Sequence, residues 1–271
     1  MKIFDAQIRS DACSDADLQN LQYFETERVV TTAHAARKFD RAEDILAYFE
    51  QLTSEELNRL ERFGLIGHVA LGVLPTARPR RTHLEVWREL PNLLQQPDVV
   101  ALGEVGAWED TEEHWELFER QVDIARQVGP IPVIATPPSE LLVNMTYKMM
   151  QHTEALGMPP ELVLMNRLDE RLVETVVREG FVAGVSVGTT NLEPRKAAQL
   201  LAEVVDRLGS AQRIVLDSSL RTGGTDVLGI PKTVVALQDA GLDTLTIERL
   251  AYGNAKALFL RQTLGTTTEN D

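Results

Sequence analysis

Eight short runs rich in β-forming residues, each followed by a longer stretch with helical periodicity, constrain this chain more than any other feature. The runs are Ile3 to Ile8, Arg28 to Thr32, Ile66 to Leu71, Val99 to Glu104, Pro132 to Thr136, Leu162 to Met165, Val182 to Val187 and Arg213 to Leu216. Several are continuously apolar (VVALG, PVIA, ELVLM, RIVL), the pattern of strands buried on both faces in a parallel sheet. Between them, Thr111 to Val128 places Trp115, Phe118, Val122 and Ala125 at helical spacing. Pro194 falls where the first turn of a helix tolerates proline, and Pro159 with Pro160 breaks the chain before the sixth run.

Eight strand–helix units in about 250 residues is the count of a (β/α)8 TIM barrel. The competing open, doubly wound sheet calls for a Gly-rich phosphate turn after its first strand, and DAQIRSD contains no glycine. The expectation is therefore α/β, a single-domain barrel over 1–262, with a helical insertion at about 40–63 and a frayed tail at 263–271.

Composition narrows the partners. A net charge of −14 over 271 residues repels phosphate backbones, so bulk nucleic-acid binding is not expected. The lone Cys13 excludes an internal disulfide and fits a reducing compartment. MKIFDAQIRSD lacks the apolar run of a signal peptide, and no stretch approaches the roughly 20 apolar residues of a membrane span. A cytoplasmic protein without membrane association is the reading.

Residues just beyond the strand C-termini form the functional face of such a barrel. Here they are Gln7, Arg9, His34, Leu74, Glu104, Ala135, Arg167, Thr189 and Asp217 to Ser219. The same segments carry a resemblance. FDAQIRSD, VVTTAHA, VALGVLP, VVALGEVG, PVIATP, LVLMNRLDE, FVAGVSV, IVLDSS, TDVLGIPKT and ERLAYGNAKALF, in this order, resemble the TatD-type metal-dependent hydrolases of the amidohydrolase-like barrels.

The resemblance implies divalent metal held by a His-x-His pair after strand one, a Glu after strand four, a His each after strands five and six, and an Asp after strand eight. Carried over, those positions read Gln7 and Arg9, Glu104, Ala135, Arg167 and Ser219, with Asp217 available if the last alignment slips. The His-Pro after strand three reads Leu74-Pro75, and the basic residue after TP is Pro138. Alanine has no donor atom, arginine has no lone pair to give, and Gln and Ser are weak neutral ligands. No metal and no other cofactor are expected.

A buried Glu104 without metal needs positive charge from elsewhere. Arg9 and Arg167 are placed to supply it, so an Arg9–Glu104–Arg167 cluster is expected in place of the metal centre. Gln7, Arg9, His34, Glu104, Arg167 and Ser219 form the candidate ligand-binding set, and Glu104 is the best catalytic candidate. Ser219, His34 and Glu104 could on paper form a hydrolytic trio. His68 lies within a strand, and His83, His114 and His152 lie on helices, where structural roles are expected. Trp108 either walls the pocket or packs the loop. Asp226 is read as a loop-fixing residue and Asn254 as framework.

The reading is a TatD-like pseudoenzyme that binds a small anionic ligand or a protein partner. Two alternatives stand beside it. One is a metal-independent hydrolase using Glu104 with His34 and the arginines; the other is a metal-dependent enzyme with unrecognised ligands.

Overall fold

The computed structural model describes residues 1–34, 39, 41–75, 84–129, 131–189, 191–221 and 225–260. His83 and the tail at 263–271 lie outside them. The eight strands are β1 (Ile3–Ile8), β2 (Thr26–Thr32), β3 (Ile66–Leu71), β4 (Val99–Val105), β5 (Val133–Ala135), β6 (Val163–Met165), β7 (Val182–Ser186) and β8 (Ile214–Asp217). They pair in parallel in chain order, and a bridge between Ile8 and Leu220 brings the first strand to the last. The result is a nearly closed (β/α)8 barrel, as the alternation of runs predicts.

Helices α1 (Asp15–Tyr23), α2 (Ala42–Gln51), α3 (Leu57–Arg62), α4 (Leu84–Leu93), α5 (Glu112–Gln127), α6 (Leu142–Ala155), α7 (Val173–Arg178) and α8 (Pro194–Leu208) make the crossovers. Then α9 (Gly229–Asp239), α10 (Thr244–Glu248) and α11 (Asn254–Phe259) follow the last strand. Pro194 does open α8, where its missing N–H costs nothing.

The segment expected as a helical insertion at about 40–63 holds α2 and α3. A π-helical turn, Leu52–Glu56, joins α2 to α3, and among the described residues this is the helical connection from β2 to β3. Ile45, Phe49, Leu52 and Leu60 are buried at spacings that follow one helical face through the turn. Arg59 on α3 then reaches back to the loop after β1, donating to the carbonyls of Ser10 (3.0 Å) and Cys13 (2.8 Å). The crossover thus pins the loop that carries Arg9 and Asp11.

The core has two layers. Phe49, Leu71, Phe118, Val133, Phe181 and Leu201 fill the space between sheet and helices. Inside the barrel, Phe4, Ala6, Val30, Ala70, Ile134, Leu164 and Val215 pack with Leu258 and Phe259 of α11. The Phe259 ring lies 6.1 Å from that of Phe4. Asn254 Nδ2 donates to the carbonyls of Ala211 and Ile214 at 2.7 Å, tying α11 to the start of β8. With apolar side chains closing the strand N-termini, polar side chains gather at the other end. Among the described residues, no helix is long and apolar enough to cross a membrane.

Candidate functional site

Glu104, the last but one residue of β4, is fully buried. Arg9, just after β1, donates from Nη2 to Glu104 Oε2 at 2.9 Å. Arg167, just after β6, brings Nη2 to 3.2 Å from Glu104 Oε1, an ion pair rather than an aligned hydrogen bond. The three side chains that the sequence placed on separate strands therefore meet. Burial pushes the Glu104 carboxyl up, but Arg167 and then Arg9, with the nearby Thr136 hydroxyl, outweigh it and hold the pKa at about 2.

The backbone is committed to this arrangement. Arg167 has φ 56° and Ser219 has φ 48°, left-handed values that cost a non-glycine residue on the order of 1 kcal/mol each. Both lie at strand ends in the mouth, and Arg167 Nη2 donates to Ser219 Oγ at 3.4 Å. The chain after β8 runs beside the end of β1: Arg9 N donates to Leu220 O at 2.8 Å and Ser219 N to Gln7 O at 3.1 Å. Buried Gln7 contacts Asn166 across the barrel through Asn166 Nδ2 and Gln7 Oε1. Gly184 makes room for this pair, since a side chain there would collide with Asn166.

Below the cluster lie two more buried carboxyls. Asp5 accepts from the Ser218 amide at 3.0 Å and the Ser218 hydroxyl at 2.5 Å. Burial raises its pKa to about 6 against those bonds. Asp217 accepts from Ser186 Oγ at 2.8 Å, and burial followed by the charge of Asp5 pushes it up to about 8. Of these two carboxyls, Asp217 is the one that more readily keeps a proton.

His34 is held apart from the cluster. Its Nε2 lies 3.1 Å from Asp11 Oδ1, while Tyr48 Oη donates to Asp11 Oδ2 at 3.0 Å. Burial opposes the Asp11 charge, but His34 and then Tyr48 outweigh it and hold the pKa below the usual range. No hydrogen bond joins His34 to Ser219 or Glu104 among the described residues, so the trio that is possible on paper does not assemble. Leu74 is buried near His34 beside a small cavity, Ala135 is buried in β5, and Thr189 is exposed.

The other described histidines have structural partners. His68 lies 3.1 Å from Arg28, and burial then Arg28 lower its pKa to about 4. His114 accepts from the Glu109 amide at 2.8 Å, and His152 stacks on Trp115 at 4.1 Å. Asp226 accepts from Leu228 N at 3.0 Å and pairs with Lys232, fixing its loop. Trp108 is half-buried, and its Nε1 has no partner among the described residues.

Among the described residues, no group of three His, Cys, Asp or Glu side chains is placed to hold a metal ion. The mouth can pair charges and donate hydrogen bonds. The sequence reading missed Asp11, Tyr48, Asn166 and Ser186, and it missed Arg221, which directly follows the segment paired with Arg9. Only Asp11 and Arg221 carried any signal, each being a charged residue within two positions of a candidate already chosen.

The barrel has the TatD-like metal-dependent hydrolase fold, on its likeness to the following proteins. No family model matches the chain. It is similar to an uncharacterized metal-dependent hydrolase of Methanocaldococcus jannaschii, 24% identical over 257 residues that cover 95% of this chain and 99% of the relative. Among solved structures it is similar to a TatD-like protein of Archaeoglobus fulgidus, with a TM-score of 0.77, 21% identity, and 95% and 99% of the two chains covered. It also resembles the phosphotriesterase homology protein of Escherichia coli, solved with phosphate in its active site, with a TM-score of 0.73, 14% identity, and 95% and 98% covered.

Proposed function

We propose that this chain keeps the TatD-like hydrolase fold without a metal centre, as a non-catalytic barrel whose mouth holds a small anion. The observation that carries the reading is the pairing of both Glu104 oxygens with Arg9 and Arg167. A divalent ion does not fit these residues. Glu104 is the only carboxylate in the cluster, its oxygens face guanidinium groups, and two fixed positive charges would repel a dication. The same two groups, with Arg9 Nε and Arg167 Nε buried and unpartnered, favour an oxyanion. The phosphate in the active site of the Escherichia coli neighbour supports an oxyanion as the ligand of this barrel.

Catalysis through Glu104 is the weaker reading. A carboxyl held at about 2 and paired on both oxygens is a poor proton donor or acceptor at neutral pH. The small anion is preferred to a protein partner, because the unpaired donors lie inside the mouth rather than on an open surface. The buried, unpaired Cys13 supports a cytoplasmic setting.

The test combines metal analysis with calorimetry. Protein prepared with zinc and manganese present should carry far less than one equivalent of either, and a chelator should leave its melting temperature unchanged. Wild type should bind small oxyanions, and Arg167→Gln should bind them at least about tenfold more weakly. Stoichiometric metal, or no binding of any phosphate or carboxylate, would overturn the proposal.

A further inference from the structure

We propose that Arg221 is a third anion-binding residue and that the ligand it completes with Arg9 and Arg167 is a phosphoryl group, a tetrahedral dianion carried by a phosphate monoester or by free phosphate. This rests on the anion-binding reading of the mouth and adds to it the charge and shape of the ligand.

Placement comes from the backbone. Leu220 bridges to Ile8, and its carbonyl accepts from Arg9 N at 2.8 Å, so Arg221 follows directly on a residue locked beside Arg9. Ser219, two residues earlier, receives the hydrogen bond from Arg167. The segment Ser219 to Arg221 thus touches both members of the cluster. Arg221 itself is exposed, and no carboxylate pairs with it among the described residues. Partial burial of its head group and then the charges of Arg9 and Arg167 draw its pKa below the ordinary value, as expected of like charges sharing one opening.

Charge and geometry then select the ligand. Arg9, Arg167 and Arg221 set against Glu104, the carboxylate that pairs with the first two, leave a surplus of two positive charges at the mouth of a chain whose net charge is −14. The neighbouring carboxyls are engaged elsewhere, Asp5 accepting from Ser218 and Asp217 from Ser186, and neither forms an ion pair with these arginines among the described residues. A monocarboxylate brings one charge and two oxygens in a plane. A phosphoryl dianion brings two charges and three oxygens splayed toward three directions, which suits arginines arriving from the ends of β1, β6 and β8.

Isothermal titration of wild type and Arg221→Gln with inorganic phosphate, phenyl phosphate, succinate and acetate tests the proposal. Phosphate and phenyl phosphate should bind wild type at least about tenfold more tightly than succinate or acetate. R221Q should lose at least about tenfold for the two phosphates while keeping the unliganded melting temperature of wild type. Tighter phenyl phosphate would assign the ligand to esters, and equal binding to the phosphate group alone. Phosphate affinity unchanged in R221Q, or succinate bound as tightly as phosphate, would overturn the assignment while leaving the anion-binding mouth in place. Failure of all four anions to bind would overturn both.

Discussion

Arg9 and Glu104 lie 95 positions apart in the chain, yet the guanidinium of one donates to the buried carboxylate of the other at 2.9 Å. The contact joins the ends of β1 and β4 across the barrel mouth, and Arg167 approaches the second oxygen from β6. Removing the charge at the centre leaves two cations facing each other. Glu104→Gln should lower the unfolding free energy by roughly 2–3 kcal/mol. That is less than for a fully sealed triad, because the Arg167 side chain is 24% exposed to water. The same variant should bind phosphate more tightly than wild type, since a competing negative charge has gone. Chemical denaturation with and without phosphate reads both effects, and a neutral or stabilising E104Q without phosphate contradicts the first.

The buried carboxyls give a stability profile with opposed slopes. Glu104 has a folded pKa of about 2, below its unfolded value, so its contribution is present above the unfolded pKa and is lost as pH falls toward 2. Asp217 has the reverse sign. Its folded pKa of about 8 lies above the unfolded value, so between the two the folded state binds the extra proton and stability falls as pH rises. Asp217→Asn removes that loss. Its melting temperature relative to wild type should therefore rise steadily from pH 5 to pH 8. A difference that stays flat over this range means that Asp217 is ionised in the folded protein.

Tyr48 tests whether the His34 side of the mouth is held structurally. Its hydroxyl donates to Asp11 at 3.0 Å and accepts from the His34 amide at 3.3 Å, so one group fixes both partners. Tyr48→Phe leaves a partly buried carboxylate short of a donor and should cost roughly 1–2 kcal/mol. Tyr23→Phe, on a ring 74% exposed, supplies the control and should cost almost nothing. Equal effects from the two variants would remove the Asp11–His34 pair from any account of the mouth.

The barrel was legible in the sequence because parallel strands buried on both faces leave continuous apolar runs, and such runs mark their own limits. VVALG became the body of β4 and RIVL most of β8. The helical character of the 40–63 segment was legible too, but its π-helical turn was not. Its π turn buries Glu56, paired with Arg59 at 3.0 Å, and a buried charge interrupts the apolar stripe from which a continuous crossover is recognised. The Arg9–Glu104–Arg167 contact was reachable because burying one carboxylate demands a counter-charge, and strand order named two donors. Tyr48 was out of reach. It lies in the middle of a helix, and only the packing of α2 on the barrel brings its hydroxyl to Asp11.

Gly106, two residues beyond Glu104, sits so close to the end of β5 that an added Cβ would press on the carbonyl oxygen of Thr136. That oxygen belongs to the backbone, so no rotamer change relieves the clash, and strand β5 must move away from β4. Thr136 N also donates to Val105 O at 2.8 Å, the bond that seats the end of β5 beside Glu104. Gly106→Ala should therefore destabilise by roughly 1–3 kcal/mol, as overpacking of a close contact does. It should also weaken phosphate binding, because forcing β5 away from β4 shifts Glu104, the carboxylate that holds Arg9 and Arg167 in place. Gly129→Ala, where a Cβ meets nothing within 4 Å but φ is 106°, separates the two causes. It should lower stability through backbone strain alone and leave phosphate affinity at the wild-type value. If G106A and G129A change phosphate affinity equally, the seating of β5 has no part in shaping the mouth.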